Sequence, residues 1–355
     1  MTESKNEGLP EGGKIRQDRS VMIYLGILII MTIVLVFAVK MYSTVDIGNP
    51  SCGDGTEYGH CSLRQPLRCD KGLLVEKALF CGCPVGLKKE GNLCISEYQT
   101  GLKNVVLKYV LRGKEKEINF EVYEGVVDHI STIPKSISSE GGETPSRKDF
   151  KLRNINEPAQ RELLLPLVTE IQNVVKSEED RVRIAVSVVQ NIPYGISGNL
   201  IDIRGIQVND SRYPYEVLYD NQGVCGEKGE LLAFILREMG YGVVFFYHQE
   251  ENHEAIGIKC PKEFSLGETG YCFIETTGPA IITDNRLDYI GLGKLHSTPK
   301  VILISDGKSL GDNLYEYNDA DTLTDLRDNG VSMFSEGKLK DIRDKYGLVE
   351  VYRAG

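Results

Sequence analysis

The clearest pattern of hydrophobic and polar positions lies between Tyr213 and Tyr247, in the stretch YPYEVLYDNQGVCGEKGELLAFILREMGYGVVFFY. After Cys225, apolar residues recur at the three- and four-residue spacing of one helix face, at Leu231, Leu232, Ile235, Leu236 and Met239. Gly240 and Gly242 end that pattern, and the run VVFFY that follows is typical of a strand. We therefore predict a helix that begins at or near Cys225 and leads into a strand.

The segments before this stretch predict a hairpin and two helices. Asn104–Val127 alternates apolar and polar residues around RGKEKE, which indicates a β-hairpin. Pro134–Asp149 is rich in Pro, Gly and Ser and indicates a loop or boundary. Glu157–Val175 and Glu178–Gln190 have helical spacing, the first with an inward apolar stripe at Leu163, Leu164, Leu167 and Ile171.

The segments after it predict strands and one more helix. The run EAIGIK follows His253, YCFIE ends at Glu275, and KVILISDGK begins at Lys300; each is typical of a strand. Glu336–Tyr346 is charged and short, and predicts a helix.

The N-terminal part of the chain changes character at residue 21. Residues 1–20 are polar and without periodicity, which is typical of a disordered tail. Val21–Val39 has 19 residues and no charge, and as a helix it would be about 28 Å long, close to the thickness of a bilayer's hydrocarbon core. We predict a transmembrane anchor at 21–40. A cleaved signal peptide is the alternative, although no small-x-small cleavage site follows the run.

Basic residues predict the orientation of this anchor. Four of them precede it, whereas Lys40 is the only one between it and Arg64. By the positive-inside rule the N-terminus would be cytoplasmic, and everything after residue 40 would lie outside a cell membrane that the chain crosses once.

Composition narrows the choice of partners. The 355 residues leave room for two or three domains, and the 41% hydrophobic content suffices for an ordinary core. The formal net charge of −10 argues against a nucleic-acid partner, because the sequence shows no basic stripe to contact phosphates.

Six of the nine cysteines crowd into a short segment with few apolar runs, at Cys52, Cys61, Cys69, Cys81, Cys83 and Cys94. Such crowding predicts a disulfide-stapled module, paired among these six, in an oxidising compartment. The pairing stays open, because six cysteines allow 15 connectivities. A zinc site at Cys81 and Cys83 near His60 is the alternative, but paired CxxC spacing is missing.

The last three cysteines separate into a pair and a single thiol. Cys260 ends the strand that His253 opens, and Cys272 lies in the strand that ends at Glu275, so a disulfide between them would clamp the two strands together. Cys225 is then the odd cysteine. An unpaired thiol in a secreted domain is either reactive or awaits an intermolecular partner.

Cys225, His253 and Glu275 could together form a catalytic group. A helix N-terminus favours a thiolate, a histidine can move its proton, and a carboxylate can orient the imidazole. Each residue also has an ordinary interpretation: a cysteine that fills the core, a histidine at a strand edge, and a solvated glutamate.

The segments GVCGEKG, NHEAIGI and FIETTGP resemble the transglutaminase-like superfamily of papain-fold cysteine enzymes. RVRIAVSVVQNIPY resembles the helix that precedes the nucleophile in that family, and the likeness covers roughly residues 160–280. The resemblance implies an α+β fold, with a core of N-terminal helices packed on an antiparallel sheet. It also implies Cys225 as nucleophile, His253 as base and Glu275 as orienting acid, with no cofactor and no metal.

Three departures from the family pattern bear on the activity. Glu275 replaces the usual Asp, Gly229 occupies the position of a small residue after the cysteine turn, and the chain has no tryptophan. The missing tryptophan, which stabilises the oxyanion in animal tissue transglutaminases, favours hydrolysis over cross-linking. Gln222 is a candidate oxyanion donor, beside the backbone N–H of Cys225.

The sequence therefore supports two classes of function. The first is a cysteine peptidase or amidase that acts on peptides or proteins of the cell surface through a thioacyl-enzyme, with protein-glutamine transglutaminase as its variant. The second is a non-catalytic adhesion or assembly protein that uses the fold as a scaffold. The expected division is a tail (1–20), an anchor (21–40), a cysteine-rich module (41–100), a hairpin and linker (101–150) and a transglutaminase-like domain (151–355).

Overall fold

The structure is a computed structural model that divides into two units, residues 1–50 and residues 51–355. The residues that it describes are 24, 26–36, 50–134, 144–198, 200–203, 206–209, 211–286, 288–289, 293–332 and 335–348.

In the first unit, the described residues 26–36 are helical. Nowhere in the described part of the chain is a helix both long enough and apolar enough to cross a membrane. The prediction of a transmembrane helix over Val21–Val39 is therefore wrong; the predicted tail, 1–20, lies outside the described residues.

The second unit is a mixed α and β structure. Its strands are β1 (Leu67–Asp70), β2 (Leu73–Glu76), β3 (Lys88–Glu90), β4 (Leu93–Ile95), β5 (Leu102–Leu111), β6 (Lys114–Tyr123), β7 (Leu200–Ile203), β8 (Ile206–Asn209), β9 (Val243–His248), β10 (His253–Lys259), β11 (Tyr271–Ile274), β12 (Asp288–Tyr289), β13 (Gly293–Lys294) and β14 (Lys300–Ser305). Its helices are α1 (Ala78–Cys81), α2 (Glu124–Ser131), α3 (Arg147–Ile155), α4 (Pro158–Val174), α5 (Glu178–Asn191), α6 (Pro214–Asp220), α7 (Cys225–Glu238), α8 (Tyr315–Asn329) and α9 (Glu336–Tyr346). Two short 3₁₀ turns, Lys262–Phe264 and Leu266–Glu268, connect β10 to β11.

The cysteine-rich segment consists of two small hairpins, β1–β2 and β3–β4, held by three disulfides. The pairs are Cys52–Cys69, Cys61–Cys81 and Cys83–Cys94. The prediction of a disulfide-rich module is confirmed. Zinc at Cys81 and Cys83 is ruled out in this state, because a disulfide sulfur is not a thiolate ligand.

The module is hydrogen-bonded to the helices that follow it. The Asn173 side chain, at the end of α4, accepts from the backbone N–H of Leu74 at 2.9 Å and donates to its carbonyl at 3.0 Å. Arg181 on α5 donates to the Gly53 carbonyl at 2.8 Å. These contacts pair backbone groups of the module with side chains more than 90 residues away in the chain, so the module folds against the helical layer.

A four-stranded antiparallel sheet, in the order β11-β10-β9-β14, supports α7. Every residue of α7 from Gly226 to Leu236 is buried. The helix approaches the sheet closely at Gly229, where an added Cβ would lie 2.9 Å from the Phe245 ring. A glycine at this position therefore sets the distance between the helix that begins at Cys225 and the sheet.

The Cys260–Cys272 disulfide is present and links the end of β10 to β11 across 12 residues. Replacing both cysteines with alanine is expected to lower the free energy of unfolding by about 3 kcal/mol. Without the crosslink the unfolded chain has more conformational entropy, which stabilises it by about this amount for a loop of this size. Urea denaturation measures the change. A loss below about 1 kcal/mol would show that the two strands are held together without the crosslink.

Candidate functional site

Cys225 is the first residue of α7 and is partly exposed, whereas most of the helix is buried. The helix start is fixed by Glu227, whose carboxylate accepts from the backbone N–H of Val224 at 3.0 Å. The same carboxylate accepts from the backbone and the guanidinium of Arg212, at 2.9 and 3.2 Å. Because Cys225 opens the helix, its backbone N–H has no acceptor within the helix and is available to a ligand.

His253 opens β10 and is fully buried. β10 and β11 are antiparallel with Ile256 opposite Ile274, so the start of β10 and the end of β11 lie at the same edge of the sheet. Glu275 follows β11 directly, and its Oε2 lies 2.9 Å from His253 Nε2. The sheet thus brings together two residues that are 22 positions apart in the sequence.

The Glu275 carboxylate is fully buried and held from several sides. Its Oε1 accepts from the backbone N–H groups of Thr276 and Thr277, at 2.9 and 2.8 Å. The Gln190 side chain on α5 donates to the Glu275 carbonyl at 2.9 Å. With Oε1 occupied by backbone donors, Oε2 is directed at the imidazole.

The His253 side chain interacts with Cys225 as well as with Glu275. Burial opposes a charge on the ring, but the interactions with Cys225 and the hydrogen bond to Glu275 outweigh it and raise the pKa of His253 to about 10. The imidazole is therefore a cation through the neutral pH range. Thr276 also donates from Oγ1 to the Cys225 carbonyl at 3.2 Å, which ties the Glu275 segment to the start of α7.

Residues 194–196 border the turn that precedes Cys225, because the Gly195 N–H donates to the Gly223 carbonyl at 3.2 Å. Tyr194 and Ile196 are exposed, and the pKa of Tyr194 is raised by burial and by the nearby charge of Cys225. The Gln222 side chain lies against Gly195, where an added Cβ would be 1.5 Å from Nε2. Gln222 is thus placed on this border, three residues before Cys225.

His248, which lies opposite His253 in the β9–β10 pairing, has a different role. Its Nδ1 is 2.9 Å from the Ser297 carbonyl, and burial lowers its pKa, so this ring is neutral and donates to that carbonyl. Across the described residues, no cluster of three or more His, Cys, Asp or Glu side chains is arranged to hold a metal ion.

Three residues around the site, Gln190, Thr277 and Lys228, were missed by the sequence interpretation. Gln190 and Thr277 act through contacts between distant segments, for which the sequence gives no signal. For Lys228 the sequence does contain a signal. This lysine lies three residues after Cys225 on the apolar stripe of α7, so the helical spacing places it inside the core.

No protein-family model matches the sequence, and no curated protein does. Among solved structures, the calcium-bound form of LapG from Legionella pneumophila is similar to this chain at 12% sequence identity. The similarity covers 49% of this chain and 98% of that one, with a TM-score of 0.25. A TM-score this low does not establish a shared fold, so the roles of the residues depend on the geometry around Cys225.

Proposed function

We propose that this chain is a cysteine hydrolase of the transglutaminase-like type, a peptidase or amidase that forms a thioacyl-enzyme on Cys225. One observation carries the proposal: buried His253 is hydrogen-bonded to Glu275 and interacts with Cys225, which remains partly exposed at a helix N-terminus. A nucleophile, a proton carrier and an orienting acid in contact are what acyl transfer to a thiol requires.

In the first half of the reaction, the Cys225 thiolate attacks the carbonyl carbon of an amide. In this proposal the developing oxyanion accepts from the Cys225 N–H, and the Gln222 amide is the candidate for a second donor. His253 gives its proton to the leaving nitrogen as the C–N bond breaks. The products of this half are a free amine and a thioester on Cys225, and the imidazole is left neutral.

In the second half, neutral His253 takes a proton from water, and the resulting hydroxide adds to the thioester carbonyl. The C–S bond breaks, a carboxylic acid leaves, and the thiolate and the imidazolium are restored. Glu275 holds the imidazole in one orientation throughout, because its Oε2 is bonded to Nε2.

The surroundings of the site indicate a peptide or protein substrate. Tyr194, whose side chain is near Cys225, is exposed and offers an aromatic surface on which a substrate side chain would pack. Four disulfides suit an oxidising compartment, so we place the working protein outside the cytoplasm.

An activated ester tests the proposal without knowledge of the natural substrate. On mixing with p-nitrophenyl acetate, the protein is expected to release a burst of one equivalent of p-nitrophenolate and to carry one acetyl group on Cys225. The Cys225→Ser variant is expected to show neither. Acceleration of the later turnover by an added primary amine would identify acyl transfer in place of hydrolysis.

The scaffold hypothesis predicts a different outcome for the same experiment. If Cys225 is inert, wild type and Cys225→Ser release p-nitrophenolate at the same slow rate, and peptide mapping finds no acetyl group on Cys225. That result would contradict the proposed enzyme and leave a binding protein built on this fold.

A further inference from the structure

Lys228 is a fully buried lysine on α7, the helix that begins at Cys225. It follows Cys225 by three positions in α7, and so lies on the same face of the helix. Its ammonium group donates to three backbone carbonyls: Ile192 at 2.6 Å, Gln190 at 3.2 Å and Thr277 at 3.3 Å. A side chain with three donors therefore has three acceptors.

These acceptors belong to two segments that both support Glu275. Gln190 and Ile192 lie at the C-terminal end of α5, where the carbonyls have no partner within the helix and attract a cation. Thr277 gives its N–H to Glu275 Oε1 at 2.8 Å while its carbonyl accepts from Lys228. Gln190 also donates from its side chain to the Glu275 carbonyl.

We infer that Lys228 is a positioning residue, which fixes the Glu275 segment and the end of α5 relative to the helix that begins at Cys225. This inference rests on the proposed function, because it gives Lys228 a part in aligning His253 through Glu275. Lys228 does not touch the reacting atoms; it acts through Thr277 and Gln190.

The charge of Lys228 gives this role a pH signature. Burial lowers the pKa of Lys228 to about 7, against the opposing effect of the negative charges of Glu275 and Cys225. The other titratable groups around these two acids are His253 on β10, His248 on β9 and Tyr194 beside Cys225. A neutral amine donates only two hydrogen bonds, so one of the three contacts is weakened above about pH 7.

The test compares Lys228→Met, which removes the charge and all three donors, with Lys228→Gln, which removes the charge and keeps an amide donor. Two quantities are measured: the rate of Cys225 alkylation by iodoacetamide across the neutral pH range, and hydrogen exchange at the Thr276 and Thr277 amides. Lys151→Met serves as the control for loss of another buried lysine, since Lys151 pairs with Glu230 and Glu254.

For Lys228→Met we expect Thr276 and Thr277 to exchange about fivefold to tenfold faster than in wild type, without an equal rise elsewhere. We expect the alkylation of Cys225 to be about tenfold slower than in wild type. We also expect wild type to show a small inflection in this rate near pH 7, and Lys228→Met to lack it. Lys228→Gln is expected to lose the inflection but to keep most of the rate and of the protection. In Lys151→Met, any increase in hydrogen exchange should extend over amides throughout the protein and not be confined to Thr276 and Thr277.

Two results would overturn the inference. One is unchanged exchange and unchanged alkylation in Lys228→Met; the other is an equal rise of exchange at all amides, which would mean that Lys228 only stabilises the fold. If Lys228→Met does not fold, Lys228→Gln decides the question. An alkylation rate with the same pH dependence as in wild type would then contradict the inference. If alkylation of wild type does not depend on His253, the proposed function fails, while exchange at Thr276 and Thr277 still decides the role of Lys228.

Discussion

Replacing His253 with alanine is expected to slow the alkylation of Cys225 by iodoacetamide at about pH 6 by roughly a hundredfold. In wild type the buried imidazole carries a proton, because its pKa is raised to about 10, and its positive charge stabilises a thiolate beside it. An ordinary cysteine thiol, with a pKa near 8.5, is less than about 1% ionised at that pH. The rate is measured by intact mass, and only Cys225 reacts because the other eight cysteines are in disulfides.

His248→Ala is the matched control for this experiment. His248 is a buried histidine on the neighbouring strand, but it is bonded to Ser297 and not to Cys225 or Glu275. Its loss should leave the rate within about threefold of wild type. Equal rates in wild type and His253→Ala would mean that the imidazole does not activate the thiol.

Replacing Lys151 with methionine is expected to destabilise the protein by about 3 to 5 kcal/mol. Lys151 Nζ lies 2.9 Å from Glu230 and 2.7 Å from Glu254, and all three side chains are buried. The two carboxylates hold the pKa of Lys151 above its ordinary value against the effect of burial. Without the lysine, two buried carboxylates remain, and keeping both of them charged costs free energy in the folded state.

The destabilisation should also depend on pH. In Lys151→Met, Glu254 keeps its ion pair with Arg147 at 2.8 Å, but buried Glu230 loses its cation, and burial raises its folded-state pKa further above the unfolded value. The folded variant therefore binds a proton at Glu230 more tightly than the unfolded chain does. The loss of stability is therefore largest at neutral pH and shrinks as the pH falls toward 4.

Urea denaturation at two pH values checks this prediction. Lys148→Met is the control, because Lys148 lies on the same helix, α3, and is exposed. A loss of less than about 1 kcal/mol in Lys151→Met would mean that Glu230 and Glu254 are hydrated or protonated without their partner.

Local patterns were sufficient to predict several elements of the fold. Glu178–Gln190 was predicted as a helix and α5 is Glu178–Asn191, while Glu336–Tyr346 has the bounds of α9. The hairpin around RGKEKE is β5–β6, with Leu111 opposite Lys114 and a turn at Arg112 and Gly113, where φ is 51° and 74°. Such elements depend on periodicity and turn chemistry within about 20 residues, and both can be seen in a sequence.

Helix α8 shows where this reasoning fails. The segment Tyr315–Gly330 is rich in carboxylates and lacks calcium-loop spacing, a pattern that by itself indicates a solvated surface segment, yet Tyr315–Asn329 is a helix with a buried face. Glu316 is buried within it because Arg183 on α5 binds its carboxylate through two nitrogens, at 2.6 and 2.8 Å. A partner 133 positions away decides whether an acid is buried, and the sequence does not show that pairing.

The candidate site was predictable to a similar degree. The order of Cys225, His253 and Glu275, each next to a helix or a strand, could be identified from the sequence. The groups that hold them could not, because Gln190, Lys228 and Thr277 come from three segments that meet only in the folded chain.

The most direct test of the central claim, that Cys225 is an activated nucleophile, is the rate of its alkylation by iodoacetamide between about pH 6 and pH 9, in native and in urea-unfolded protein. The native rate is expected to change by less than about threefold, because the imidazolium keeps its proton over this range. The unfolded rate should rise by more than about a hundredfold, as for an ordinary thiol. A native rate that rises in the same way as the unfolded one would contradict the claim.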